Sequence, residues 1–305
     1  MEYGFAFFPG QGAQTPGMGK DLYENSAAAR LVFEQASDGA GLNIAKLCFD
    51  SDKDTLSRTE NSQIAIFTHS LAALAALREL GVTFRAAAGF SLGEYTALTA
   101  AGVLSPADGV KIVSMRGKLM QQAADSIDSG MAAILGLDDA AIEDACAKVT
   151  SGLVRPVNYN CPGQLVIAGE KAALAQAIEN CKAAGARRAL PLAVSGAFHT
   201  PLMAGAAAEL RAYAADFTFS APQMDIYSNL DGQVLSTDDL PAHLERHMVS
   251  PVRWSRLVQN GLDAGLTTAR EVGPGTTLTG FAGKISKALV CKAAGDMAGV
   301  RAAAE

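Results

Sequence analysis

The sequence predicts an α/β protein built on a parallel sheet, with a smaller unit inserted into it. Three observations carry this. The chain opens with Glu2–Phe8, a run apolar on both faces, as a strand covered by helices on both sides requires. Apolar stretches of helical period then alternate with short strand-like runs. Between Gly130 and Leu190 the rhythm changes to β-α-β-β-α-β, the split βαβ order of a ferredoxin-like module. With 49% hydrophobic and 18% charged residues, the 305-residue chain has ample material for a core.

After the first strand, Pro9-Gly10-Gln11-Gly12 reads as a tight turn. Ile64, Phe67, Leu71, Leu74 and Leu77 recur at helical spacing and predict a helix over Asn61–Leu80, stopped by Gly81. Ala86–Phe90 reads as a strand and Leu92–Ala101 as a helix. Ser105 caps the next helix, with Pro106 in its first turn, and that helix runs to about Ala124 and carries Arg116.

In the inserted unit, strands are predicted over Met131–Leu137, Val154–Asn158, Gln164–Ala168 and Arg187–Leu192. Helices are predicted over Asp139–Val149 and Lys171–Ala184. The larger body resumes near Ser195, so the expected boundaries are 1–127, 128–194 and 195–305. The last part predicts strands at Asp225–Ser228 and Thr268–Glu271. Its helices are expected around Leu240–Met248, Trp254–Gly261 and Leu278–Leu289.

Composition excludes several functions. The formal charge is -6 and no basic run stands out, which argues against nucleic-acid binding through phosphates. The five cysteines include no CxxC pair, and the four histidines no HExxH. A disulfide framework and a zinc site are therefore not expected, and a reducing compartment fits. The amino terminus has no signal-peptide pattern, and the longest uncharged run, between Arg188 and Glu209, is broken by two prolines. The expectation is a cytoplasmic protein with no membrane span.

Gly89-Phe90-Ser91-Leu92-Gly93 matches GxSxG between a predicted strand and a predicted helix, the setting of a nucleophile elbow. Glycine on each side permits a sharp turn, and the helix amino terminus offers free N–H groups to a developing oxyanion. The same residues also fit a serine that only caps a helix. His69 falls near an apolar helical stripe and reads as structural. His243 and His247, four apart, could form a metal pair, but no third ligand is evident. His199, beside Pro201 at an element edge, is the best general base. Asp216 and Asp225 are candidates to orient it, and a backbone carbonyl could do the same work.

Further motifs lie in order along the chain. They are Phe8-Pro9-Gly10-Gln11-Gly12-Ala13-Gln14, the elbow continuing Glu94-Tyr95-Thr96-Ala97-Leu98, and Met115-Arg116-Gly117. Then come Asn158-Tyr159-Asn160-Cys161-Pro162-Gly163-Gln164, Gly196-Ala197-Phe198-His199, Ser250-Pro251-Val252-Arg253-Trp254 and Glu271-Val272-Gly273-Pro274-Gly275. Together they resemble the malonyl-CoA:acyl-carrier-protein transacylase family of bacterial type II fatty acid synthesis. They are also similar to polyketide synthase acyltransferase domains.

The resemblance implies an α/β-hydrolase-like large subdomain with a ferredoxin-like small one. It implies a malonyl–Ser91 intermediate formed with His199 as base, and an oxyanion hole from the backbone N–H groups of Gln11 and Leu92. Arg116 is implied to pair with the malonyl carboxylate, Asn160 to line the pocket, and the backbone carbonyl of His247 to orient His199. The implied partners are malonyl-CoA and holo acyl carrier protein, whose phosphopantetheine is the acceptor. No resident cofactor or metal is implied, and a monomer is expected.

Three positions bear on this pattern. Phe90 stands where the family often has His, and His247 where it usually has Gln. Phe198 matches the malonyl-selective form, where methylmalonyl-selective relatives carry serine. The rival readings are an acyltransferase serving a polyketide or polyunsaturated fatty acid assembly line, a serine thioesterase or hydrolase, and a non-enzymatic binding module.

Overall fold

The computed structural model describes residues 1–194 and 196–305. It is a mixed α/β structure with two sheets of opposite character. Strands β1 (Glu2–Phe8), β2 (Thr83–Gly89), β7 (Asp225–Tyr227), β8 (Thr268–Glu271) and β9 (Val290–Ala293) form a five-stranded sheet in the order β7-β2-β1-β8-β9. Every pairing in it is parallel. β1 is central, and its apolar residues serve both sides, with Ala6 and Phe8 in one core and Phe5 and Phe7 in another. That is the burial expected of a strand covered on both faces.

β3 (Ser129–Leu135), β4 (Val154–Cys161), β5 (Gln164–Glu170) and β6 (Arg188–Pro191) form an antiparallel sheet in the order β4-β5-β3-β6. Helices Asp139–Ala147 and Lys171–Ala183 cover one face, so the chain order is β-α-β-β-α-β. Alternation along the strands divides the burial. Ala132, Ile134, Leu165 and Ile167 pack under those helices in a core of their own. Met131, Ala133, Val166 and Ala168 join the core of the larger body. The two bodies are also stitched by backbone: Val252 N–H donates to Val157 O at 2.8 Å, and Tyr159 N–H to Val252 O at 2.9 Å. Ser195, where the larger body was expected to resume, lies outside the described residues.

Most predicted elements are present, with ends shifted by a few residues. One prediction is corrected. The last long helix covers Thr277–Ile285 and does not reach Leu289, because the Val290–Ala293 segment pairs with β8 as an edge strand. Sequence reading left four helices between Lys20 and Ser57 unassigned, and two further ones over Ala204–Ala214 and Met297–Ala304. Three of the four between Lys20 and Ser57 are short, and the alanines of Ala204–Ala214 carry little periodic signal.

The carboxyl ends of β1 and β2 lie side by side, with Phe8 opposite Gly89. The chain leaves β1 through Pro9-Gly10-Gln11 and β2 through Phe90-Ser91, which is where an open parallel sheet binds ligands. Trp254 supports this edge from below. It is fully buried, its ring 5.0 Å from that of Phe7 and 5.7 Å from that of Phe90. Trp254→Ala should lower stability by about 3–5 kcal/mol in urea unfolding followed by circular dichroism. A loss below about 1 kcal/mol would contradict this packing role.

Candidate active site

The turn between β2 and the Leu92–Ala100 helix explains the paired glycines. A Cβ on Gly89 would lie 1.8 Å from the carbonyl carbon of Gly93, and one on Gly93 would lie 2.1 Å from Phe8 O. The backbone crosses too closely for any side chain. Ser91 itself sits at φ 51°, ψ -104°. Among the described residues, the non-glycine positions at positive φ are Ser91 and His199 (φ 62°). Such backbone states cost about 1–3 kcal/mol each and persist where the surroundings enforce them.

The two strained residues meet. The Ser91 hydroxyl donates to His199 Nε2 at 2.7 Å. His199 Nδ1–H donates to two carbonyls at 3.0 Å, those of His247 and Ser250. Both acceptors are main-chain oxygens, so the proton is held on Nδ1 and the Nε2 lone pair faces the serine. Asp216 and Asp225 are both exposed, and carbonyls take the orienting position instead. The His199 ring is buried. Its pKa is lowered to about 4, first by burial and then by the Arg116 cation, against the opposing pull of the two carbonyls.

Arg116 projects from the Pro106–Ser126 helix and is 1% exposed. It donates from Nη2 to Ser91 Oγ at 3.1 Å and from Nη1 to Gln63 Oε1 at 2.5 Å, and it lies 4.9 Å over the Tyr95 ring. Burial lowers its pKa, yet a guanidinium stays charged in proteins. Its Nε has no partner, and among the described residues no carboxylate forms a salt bridge with it. A buried cation without a counter-ion marks a place for an anionic ligand group.

A cavity of about 80 Å³ surrounds Ser91, Arg116 and His199, with Gln11, Met120, Met131, Asn158 and Phe198 in its wall. At about 30 Å³ per water in the liquid, it suits a short acyl group. A second cavity of about 210 Å³ adjoins it, sharing Gln11, Phe90 and Asn158 and adding Asn160, Gln164 and Phe281. Asn160 therefore lines the outer cavity, and its strand neighbour Asn158 lines both. Leu92 follows Ser91 in the first turn of its helix, where an N–H has no intrahelical acceptor. Phe90 borders both cavities and packs on Trp254 and Phe281.

His243 and His247 do not form a metal pair. Both rings turn toward the Glu94 carboxylate, with His243 Nε2 at 2.6 Å and His247 Nε2 at 4.0 Å. Among the described residues no group of three or more His, Cys, Asp or Glu could hold a metal ion. Sequence reasoning missed Gln63, Asn158, Asn229 and Ser250. The signal for Gln63 was an amide inside an apolar helical stripe. Asn229, before Leu230-Asp231-Gly232, carries only the local signature of a turn former.

The lowered pKa of His199 sets a pH profile. The base works when neutral, so labelling of Ser91 by a fluorophosphonate should stay level from about pH 8 to about pH 5.5. It should then fall with a midpoint of about 4. A midpoint near 6.5, the ordinary imidazole value, would contradict the burial and charge effects described.

Comparison with known proteins agrees with this architecture. Residues 6–298 match the model of the acyl transferase domain family. The malonyl CoA-acyl carrier protein transacylase of Escherichia coli K12 is 41% identical over 305 residues, covering 99% of both chains. A crystal structure of an acyl carrier protein S-malonyltransferase from Vibrio cholerae is 41% identical with a TM-score of 0.94, covering 99% of both chains. A malonyl-transacylase solved with its type II PKS acyl-carrier protein is 38% identical, again over 99% of both chains, with a TM-score of 0.95. Family match, full-length identity and shared fold agree: the chain belongs to the malonyl-CoA:acyl-carrier-protein transacylase family of acyl transferases.

Proposed function

We propose that the chain moves a malonyl group from CoA to the phosphopantetheine thiol of acyl carrier protein, by a ping-pong route through malonyl–Ser91. The observation that carries this is Arg116: a buried guanidinium without a carboxylate partner, 3.1 Å from Ser91 Oγ. An acyl group on Ser91 that ends in its own carboxylate would meet that cation. Acetyl would leave it unpaired.

In the first half-reaction Ser91 Oγ attacks the thioester carbonyl while His199 Nε2 takes the hydroxyl proton. The backbone N–H groups of Gln11 and Leu92 stabilise the oxyanion. The tetrahedral adduct collapses, the C–S bond breaks, and His199 returns its proton to the CoA sulfur. The carrier protein's thiol then attacks malonyl–Ser91 by the same path in reverse, releasing Ser91 as the free hydroxyl. The main-chain carbonyls of His247 and Ser250 hold the His199 tautomer throughout. The malonyl carboxylate also offsets the charge of Arg116, which helps His199 to hold the proton between steps.

Phe198 lines the cavity and crowds an added methyl at C2 of the acyl group. Asn160, in the outer cavity, faces the path of the pantetheine arm. The two sheets correspond to an α/β-hydrolase-like large subdomain, 1–127 and 195–305, and a ferredoxin-like small one, 128–194. No resident cofactor takes part. We place the protein in the cytoplasm as a monomer that binds neither nucleic acid nor membrane. No helix among the described residues is long and apolar enough to cross a membrane. The relative solved with a type II PKS carrier protein favours one second reading, the same transfer serving a polyketide assembly line.

Intact-protein mass spectrometry tests the route. Malonyl-CoA should leave a malonyl adduct on the protein that moves to holo acyl carrier protein, and Ser91→Ala should show no adduct. An adduct lost equally fast to water would indicate a thioesterase. Arg116→Gln should lower the malonyl-to-acetyl rate ratio roughly tenfold to a hundredfold, the equivalent of about 1.5–3 kcal/mol for a charged hydrogen bond. An unchanged ratio would remove Arg116 from substrate recognition.

A further inference from the structure

Glu94 lies in the first turn of the Leu92–Ala100 helix and is 0% exposed. A buried carboxylate is costly unless its oxygens are satisfied. Here each oxygen has a partner. Oε1 accepts from His243 Nε2 at 2.6 Å, and Oε2 accepts from the backbone N–H of Asn229, also at 2.6 Å. The amide of Asn229 in turn brackets the nucleophile. Its Oδ1 accepts the Ser91 N–H at 2.8 Å, and its Nδ2 donates to Gly89 O at 2.7 Å. The His247 ring donates from Nε2 to the same Oδ1 at 3.3 Å.

His243 and His247 are one turn apart on the Leu240–Val249 helix, with stacked rings at an 18° interplanar angle. The end of this helix supplies the carbonyl acceptors of His199: His247 O within it and Ser250 O at its cap. Glu94 therefore grips two things. Through Asn229 it fixes the strained backbone of Ser91, and through His243 it anchors the helix that orients His199.

We propose that Glu94, Asn229 and His243 are positioning residues, which together hold the nucleophile elbow and the base-orienting helix in register. They touch neither reacting atom. They act through the Ser91 N–H and through the carbonyl end of the Leu240–Val249 helix. This array also accounts for the i, i+4 histidine pair, which the acyl-transfer chemistry leaves unused. The proposal rests on the roles given above to Ser91 and His199.

The test is the second-order rate of Ser91 labelling by a fluorophosphonate, measured beside kcat and KM for malonyl-CoA. His243→Leu removes the donor to Glu94, whereas His243→Gln replaces it with an amide N–H. His243→Leu should label about tenfold to a hundredfold more slowly, since small misplacements of reacting groups cost that much. Its KM should stay near wild type while kcat falls. His243→Gln should recover to within about threefold of wild type.

Wild-type labelling in a folded His243→Leu, or no rescue by a folded His243→Gln, would overturn the proposal. Should His243→Leu fail to fold, Asn229→Ser carries the same test: slow labelling is expected, and a wild-type rate would overturn the array. The fluorophosphonate is indifferent to the acyl group. Failure of malonyl transfer in the wild type would therefore count against the proposed reaction alone and leave the labelling comparison valid.

Discussion

A buried guanidinium without a counter-ion is the constraint around which this site is built. Arg116 is enclosed by Gln63, Tyr95 and Ser91, and none of these can neutralise it by an ion pair. Its charge acts on every group nearby. Burial first, and this charge second, lower the proton affinity of His199, which keeps the ring neutral where an imidazole would otherwise be partly charged. The charge also leaves the inner cavity electrostatically incomplete until an anion enters. Burial and this one cation together set the proton affinity of His199, and the same cation bears on acyl selectivity.

The second constraint is backbone geometry. Gly89 and Gly93 allow the chain to cross the edge of the sheet so closely that Ser91 must adopt a strained conformation. The strain is held by a side chain from a distant segment, through Asn229 and the Ser91 N–H. His199 is strained as well and is oriented by carbonyls from a third segment. The reactive pair is therefore a product of tertiary packing. The groups that hydrogen-bond it in place, Asn229, His247 and Ser250, all lie far from it in sequence.

That distance explains what could and could not be read from the chain. The elbow was legible because strand, glycines, serine and helix are contiguous. His199 was legible by elimination, and Arg116 through the company of its motif. Glu94 was visible only as part of the elbow, with no hint of its partners. Gln63, Asn229 and Ser250 owe their roles to contacts across 53, 138 and 51 residues, which no local pattern reports. The histidine pair at 243 and 247 was the instructive case. Its spacing fits metal binding, and only the fold shows both rings facing a carboxylate. Edge strand β9 was missed for a related reason. Val290–Ala293 has too few residues to signal a strand before β8 is there to pair with it.

Acyl selectivity depends most on what fills the space beside Arg116. A crystal structure of the protein trapped after exposure to malonyl-CoA, with no acceptor present, addresses this directly. Electron density should run continuous from Ser91 Oγ, with the far carboxylate paired to the Arg116 guanidinium in the inner cavity, if Arg116 is the carboxylate's partner. A malonyl group whose carboxylate points instead toward Asn160 in the outer cavity, with Arg116 still bonded only to Gln63 and Ser91, would contradict that role.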